Sequence, residues 1–357
     1  MSTTAPGGNP PLTTSLPRIA ITIGDPAGIG PEVVARAVLQ PDVRAVCVPV
    51  IYGTGSVFDA AMRLVAGPEQ GRTQGGGWYG DGIEMVEVAG PAPGDFAPGR
   101  IDGRCGAASF AYLEAAARAT LAGSCAAIAT APINKESTAR GGFADVGHLE
   151  YLTRMTGASE SGTVLVAGYL RCLHLTTHKS LGDAVLAVTA ERILAKLRLG
   201  HTSMRRYGVA EPKIAVAALN PHGGEGGLFG REEIEAIGPA VAAARAEGID
   251  AHGPLPADSL LPAATGGRWD LVLVMYHDQG HIAVKVHDFH HSYTVAFGLP
   301  LVRTSVDHGT AFDVAWQGKA DARSMIAAIL AAAHLAGRRW PAPSEVRLDR
   351  DQEAGAS

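Results

Sequence analysis

Cysteine is scarce here, and long apolar runs and basic runs are absent. The four cysteines, Cys47, Cys105, Cys125 and Cys172, are scattered over 357 residues without a CxxC pair. That usage predicts buried, reduced thiols in a cytoplasmic protein. None of the four lies in a polar turn, so a Cys–His nucleophile is set aside. No stretch approaches the ~20 apolar residues that span a bilayer. The net charge is −5 with no cluster of Lys and Arg, which argues against a nucleic-acid surface and leaves room for a local basic pocket. The start, residues 1–17, is rich in Ser, Thr, Gly and Pro without a charged-then-apolar signal pattern, and reads as a disordered tail. Residues 343–357 are charged and small, and are expected to fray.

What is present is an apolar fraction of 46% against 18% charged, the balance of a globular enzyme. The length suits two α/β lobes better than one core. Apolar strands alternate with helices: a strand at 18–23, a Gly-rich turn at 24–32 with a helix to Leu39, a strand at 46–52, a helix at 107–122 and a strand at 126–130. Strands at 163–167 and 171–177 are joined by Gly168-Tyr169. A helix follows at 190–199 and a strand at 213–219. A helix at 231–247 is interrupted by Pro239. A strand at 270–275, a stretch at 297–305 that leads into Val306-Asp307-His308-Gly309-Thr310-Ala311-Phe312-Asp313, and a helix at 322–335 complete the chain. The alternation predicts an α/β protein with a largely parallel sheet. The turn at 24–32 could seat an anion at its helix N-terminus, but its spacing is not the dinucleotide GxGxxG.

Three histidines close apolar strands far apart in sequence: His178, His222 and His277. Three neutral imidazoles can hold a divalent ion, Zn²⁺, Co²⁺ or Mn²⁺ readily and Mg²⁺ more loosely, with positions left for substrate. Thirteen histidines in the chain also leave room for strand-end histidines by chance. His174 shares strand parity with His178 and is expected inside the sheet, while His281, His287, His290 and His291 read as loop residues. Lys285 and Arg303 are cations with apolar flanks, suited to a phosphate or carboxylate, with surface charge as the alternative. Lys135 and Asp258 sit in polar turns. Either could accept or relay a proton, or simply cap a turn.

The segments Ile23-Gly24-Asp25-Pro26-Ala27-Gly28-Ile29-Gly30-Pro31-Glu32, Leu219-Asn220-Pro221-His222 through Gly230, Tyr276-His277-Asp278-Gln279-Gly280, and Arg303-Thr304-Ser305-Val306-Asp307-His308-Gly309-Thr310-Ala311 carry a family resemblance. From about Arg18 to Gly337 the chain resembles the 4-hydroxythreonine-4-phosphate dehydrogenases of the vitamin B6 (pyridoxine) pathway and their close paralogues. The resemblance implies an isocitrate/isopropylmalate dehydrogenase-like fold, two α/β lobes around a central cleft and not a Rossmann fold. Residues 18–138 with 271–342 would form the cofactor-side lobe, and residues 139–270 the metal, substrate and dimer side. It implies a homodimer with shared active sites, metal ligands His178, His222 and His277, and substrate contacts at His148, Lys285 and Arg303. His308, Gly309, Thr310 and Asp313 look like the adenine-side loop of isopropylmalate and isocitrate dehydrogenases. The cofactor is NAD or NADP, and the Asp313 charge inclines the reading to NAD.

The implied reaction is oxidation of a secondary hydroxyl followed by loss of CO₂ from the β-keto acid. Two positions depart from the family: Leu149 stands where Thr is usual, and Thr294 where Asn is usual. Both belong to the substrate-holding set. Leu cannot donate a hydrogen bond and Thr is shorter than Asn, so the departures bear on the substrate's anionic end. The segments Gln279-Gly280-His281-Ile282 and Thr177-His178-Lys179-Ser180-Leu181 look more like paralogues acting on 4-phospho-D-threonate and 4-phospho-D-erythronate. A further class oxidises aromatic cis-dihydrodiol carboxylates. The reading from another class is a binding protein that kept the fold and lost catalysis.

Overall fold

The computed structural model describes residues 16–67, 82–145 and 147–347. The tail expectations for 1–15 and 348–357 lie outside them. Among the described residues eleven strands run in chain order: β1 Arg18–Thr22, β2 Val48–Gly53, β3 Glu84–Glu87, β4 Ala127–Thr130, β5 Gly162–Ala167, β6 Leu170–His174, β7 Ile214–Ala217, β8 Ala251–Leu255, β9 Leu271–Val274, β10 Tyr293–Phe297 and β11 Arg303–Val306. They form one sheet in the order β3-β2-β1-β4-β11-β10-β5-β6-β9-β7-β8.

Two parallel sets make up most of it, β3-β2-β1-β4-β11 and β6-β9-β7-β8. Between them β10 and β5 are antiparallel to each neighbour, so the two sets run in opposite senses. Central strands such as β9, Leu-Val-Leu-Val, are buried throughout, as a sheet covered on both faces requires. β9 opens the segment expected to return to the first lobe, yet it hydrogen-bonds between β6 and β7 in the other half.

Several boundaries differ from the sequence reading. The stretch 297–305 comprises the end of β10, a turn at Gly298 (φ 84°), and β11. The helix expected to stop at Leu199 runs from Ala190 to Arg206. Gly200 sits inside it because a Cβ there would come within 2.7 Å of Leu271 Cδ2, so glycine permits the close approach to β9. Pro239 does interrupt its helix. A π-turn over Glu233–Ile237 precedes a helix Gly238–Ala246 that carries Pro239 in its first turn.

Residues 343–346, expected to fray, form a 3₁₀ turn that buries Val346, and Arg347 pairs with Asp288. The four cysteines are free and buried. Among the described residues no helix is long and apolar enough to cross a membrane.

The Gly-rich turn is not an anion seat. Residues 21–30 are buried, and the N–H groups of Asp25, Ala27, Gly28 and Ile29 are already used. The Asp25 carboxylate accepts from Ala27 N–H at 2.9 Å, the Asp25 carbonyl from Gly28 N–H at 3.0 Å, and the Thr310 carbonyl from Ile29 N–H at 3.0 Å. Gly28 leaves no room for a Cβ against Thr310. The turn therefore buttresses the 308–313 loop from behind.

Candidate active site

A cleft of about 910 Å³ opens over the central strands where the two parallel sets meet. Arg303 and Ser305 alternate on β11, and Thr294 on β10 lies opposite Ser305, so the three share the face that floors it. The helix His148–Thr156 forms one wall. The end of β4 contributes Lys135, the end of β6 contributes His178, and the loop after β11 contributes Asp307, His308 and Gly309.

At one end sits Arg303, 5% exposed. Its guanidinium donates to Thr130 Oγ1 at 2.6 and 3.2 Å and to His148 Nδ1 at 3.1 Å. No carboxylate pairs with it, and burial lowers its pKa to about 10. Arginine can only donate, so His148 Nδ1 accepts and Nε2 carries the proton. That Nε2 is buried and without a partner. Burial first, then Arg303, holds His148 well below the ordinary imidazole range. A buried cation beside an N–H donor has the chemistry to hold an anion. Leu149 and Thr294 also line the cleft, and Thr294 Oγ1 makes only a long bond, 3.4 Å, to the Ser305 carbonyl.

Of the three strand-end histidines, His178 lines the cleft, while His222 and His277 lie off its lining. β6, β9 and β7 are adjacent and parallel, so His178, His277 and His222 all leave the sheet at one edge. His277 Nδ1 donates to Asp278 Oδ1 at 2.7 Å, which fixes its tautomer and leaves the Nε2 lone pair free. His178 lies 5.9 Å from His277 between ring centroids. Its Nε2 takes a hydrogen bond from Lys135 Nζ at 3.3 Å, and burial, then Lys135, keeps it neutral by lowering its pKa. Its lone pair, held here by a lysine, is one a divalent ion could take.

His222 is exposed, at φ 52° in a loop, Pro221–Gly227, of successive left-handed residues. Glu233 anchors that loop from below. It accepts from Leu219 and Asn220 N–H, each at 2.8 Å, and from the Asn220 amide at 2.9 Å. Among the described residues no three His, Cys, Asp or Glu side chains already stand at metal-holding spacing. The donor set nevertheless suits a borderline divalent cation: two near neutral imidazoles, one with a carboxylate behind it, and a third on a glycine-rich loop.

Not every expected residue reaches the cleft. Lys285 pairs instead with Asp307, whose carbonyl accepts at 3.0 Å and whose carboxylate lies 3.3 Å away. Asp258 is exposed, accepts from Ser259 N–H at 3.0 Å, and lies off the lining. His308 and Gly309 line the cleft, Thr310 is buried behind, and Asp313 is exposed outside it.

His281 was read as a loop residue. It lies in the helix His277–His287, one turn beyond His277, and lines the cleft. The reading was wrong because Gln279 acts as a tether: its amide accepts from Met275 N–H at 2.7 Å and donates to the Ala218 carbonyl at 2.8 Å. That ties the first turn to β9 and β7, and Gly280 is a packing residue rather than a flexible one. His287 is in the same helix, whereas His290 and His291 are in the loop expected of them. Asp278, Asp307 and Thr130 were missed as site residues. Adjacency to His277 could have found Asp278, while no local signal marks Thr130.

A family model described as pyridoxal phosphate biosynthetic protein PdxA matches residues 45–332. The chain is 43% identical over 338 residues to the D-threonate 4-phosphate dehydrogenase of Cupriavidus necator, covering 92% of this chain and 100% of that one. It is 44% identical over 330 residues to the 4-hydroxythreonine-4-phosphate dehydrogenase of Geobacter metallireducens, covering 91% and 97%. The crystal structure of 4-hydroxythreonine-4-phosphate dehydrogenase from Klebsiella pneumoniae matches with a TM-score of 0.79 at 37% identity, covering 90% of this chain and 99% of that one. Fold and matches together define an NAD(P)-dependent oxidoreductase. The chain belongs to the PdxA family.

Proposed function

We propose that this chain oxidises the secondary hydroxyl of a small phosphorylated hydroxy acid and releases CO₂ from the β-keto acid formed, with D-threonate 4-phosphate as the favoured substrate. The carrying observation is Arg303, buried with no ion-pair partner among the described residues and flanked by the His148 N–H, in one cleft with His178, whose ring lies 5.9 Å from that of His277. In this reading the phosphate lies against Arg303 and His148. His178, His222 and His277 would hold a divalent ion, whose Lewis acidity would make the substrate hydroxyl more acidic and stabilise the charge left by loss of CO₂. Lys135, already 3.3 Å from His178, stands where a proton acceptor for that hydroxyl is needed. His308 and Gly309 border the side where a nicotinamide would receive the hydride. The exposed Asp313 carboxylate repels a 2′-phosphate, which favours NAD over NADP.

The preference for threonate rests on Leu149 and Thr294, which replace hydrogen-bonding family residues, and on the Cupriavidus relative's name. The Geobacter relative, of similar identity, supports 4-hydroxythreonine 4-phosphate as the second reading. A substrate panel separates them: 4-phospho-D-threonate, 4-phospho-D-erythronate, 4-hydroxythreonine 4-phosphate and an unphosphorylated analogue, each with NAD⁺ and NADP⁺ and added Zn²⁺, Mn²⁺ or Mg²⁺. The expected order has 4-phospho-D-threonate with NAD⁺ first. Turnover of the unphosphorylated acid at the same efficiency would sink the assignment of the anion site.

A further inference from the structure

His281 is stacked on His277, with ring centroids 3.6 Å apart and planes 8° apart. Its Nδ1 lies 3.1 Å from the His277 carbonyl. A carbonyl only accepts, so Nδ1 carries the proton and Nε2 is a bare lone pair. His174 backs the ring, with centroids 4.6 Å apart, and is itself 3% exposed. Gly280 makes the arrangement fit, because a Cβ there would run into His174 Nε2. The lone pair is thus held in place from two sides, on a side chain that lines the cleft.

Of the other cleft imidazoles, His174 is buried behind the His281 ring and neither of its ring nitrogens has a partner. His148 offers an N–H, and the His178 lone pair is engaged by Lys135. His308 Nδ1 donates to the Gly309 carbonyl at 3.0 Å, so its Nε2 is also a lone pair, but it is buried on the loop after β11 rather than stacked on His277. An acceptor beside the hydroxyl-binding end calls for a substrate group that keeps its proton through the reaction. In a 2,3-dihydroxy acid the hydroxyl on carbon 3 loses its proton on oxidation and the one on carbon 2 does not.

We propose that His281 is a specificity-determining residue that accepts a hydrogen bond from the unreacted hydroxyl next to the oxidised carbon. This rests on the phosphorylated hydroxy-acid reading above and names the group that the cleft selects there. A site built around a substrate hydroxyl rejects the analogue lacking it, because its own polar group is left unpaired.

The test is a cycle between residue and substrate, using 4-phospho-D-threonate and 3-hydroxy-4-phosphobutanoate, which lacks only the carbon-2 hydroxyl. Wild-type enzyme is expected to prefer the dihydroxy acid by about 10²-fold or more in kcat/KM. His281→Leu is expected to shrink that preference at least about tenfold, with His281→Ala run in parallel should leucine unfold the protein. Co²⁺ affinity, followed without substrate by visible absorption, is expected to stay within about threefold of wild type. Equal losses on both substrates, no loss on either, or a fall in Co²⁺ affinity that accounts for the whole effect would each overturn the assignment. No wild-type turnover of any phosphorylated acid would instead sink the substrate reading, and the inference with it.

Discussion

Arg303 is a buried cation in the cleft with no ion-pair partner among the described residues. Its guanidinium is buried among a threonine hydroxyl and a histidine nitrogen, both neutral. A phosphate would supply the missing charge, and bidentate geometry is what arginine offers over lysine. Arg303→Met is expected to lower kcat/KM for the phosphorylated acid by about 10²-fold or more, equivalent to roughly 3 kcal/mol, chiefly through KM. Steady-state kinetics on folded protein checks it, and an unchanged KM would remove Arg303 from the anion site. Asp278 is a different kind of residue. It touches no substrate position and holds His277 Nδ1. Asp278→Asn is expected to weaken divalent-ion affinity by about 10–100-fold, as loss of an outer-sphere carboxylate does. Titration with Co²⁺ would show it, and an unaltered affinity would place His277 outside the ligand set.

At the scale of elements, the helix His277–His287 is pinned at its start by Gln279 and pressed against His174 at Gly280. Gly280→Ala is expected to cost about 1–3 kcal/mol, because the added methyl meets a fully packed ring. Urea unfolding measures this, and a wild-type midpoint would mean that the helix shifts freely. The turn at 24–32 carries a pH signature. Asp25 is 0% exposed, Oδ2 has no partner, and burial pushes its carboxyl up to about 6 from an ordinary 3.8. Between those values the folded chain keeps a proton that the unfolded chain has released. Stability from this group is therefore present below about pH 4 and lost as pH rises to about 6, at up to about 1.4 kcal/mol per unit. Asp25→Asn has no such proton and should flatten that slope. Denaturation at pH 4.5 and 7 compares the two, and equal slopes would acquit Asp25. The sequence showed this turn as a strand–turn–helix and showed its glycines. It did not show that the N–H groups of Asp25, Ala27, Gly28 and Ile29 are already bonded within the protein, since that depends on the 308–313 loop and Pro132 lying against the turn.

At the scale of the molecule, apolar side chains remain uncovered on one side. Ile282, Val286 and Phe289 project from the helix His277–His287 and its end at 58%, 82% and 59% exposure. Leu228 at 76% and Phe229 at 51% stand on the segment that carries His222. Such surface would suit the homodimer that the family resemblance implies, and its nearness in the chain to His222 and His277 would suit a site completed by a second copy. Val286→Asp is expected to give monomers by light scattering and to lose most turnover. A fully active monomer would overturn the shared site.

What the sequence determined by itself is the local grammar: apolar runs that become strands, the polar residues that end them, and motifs long enough to name the family. These signals lie within a few residues, where backbone geometry and burial period act. The strand-end positions of His178, His222 and His277 were legible for that reason. Only the tertiary structure decided that β10 and β5 lie between parallel sets of opposite direction. It alone joined Arg303 to Thr130 and His148, 173 and 155 residues away. It neutralised Lys285 with Asp307 and turned His281 from a loop residue into a cleft-facing acceptor. Each of these depends on which distant segments share a sheet edge, and on whether a charge brought there finds a partner. No pattern along the chain carries that information.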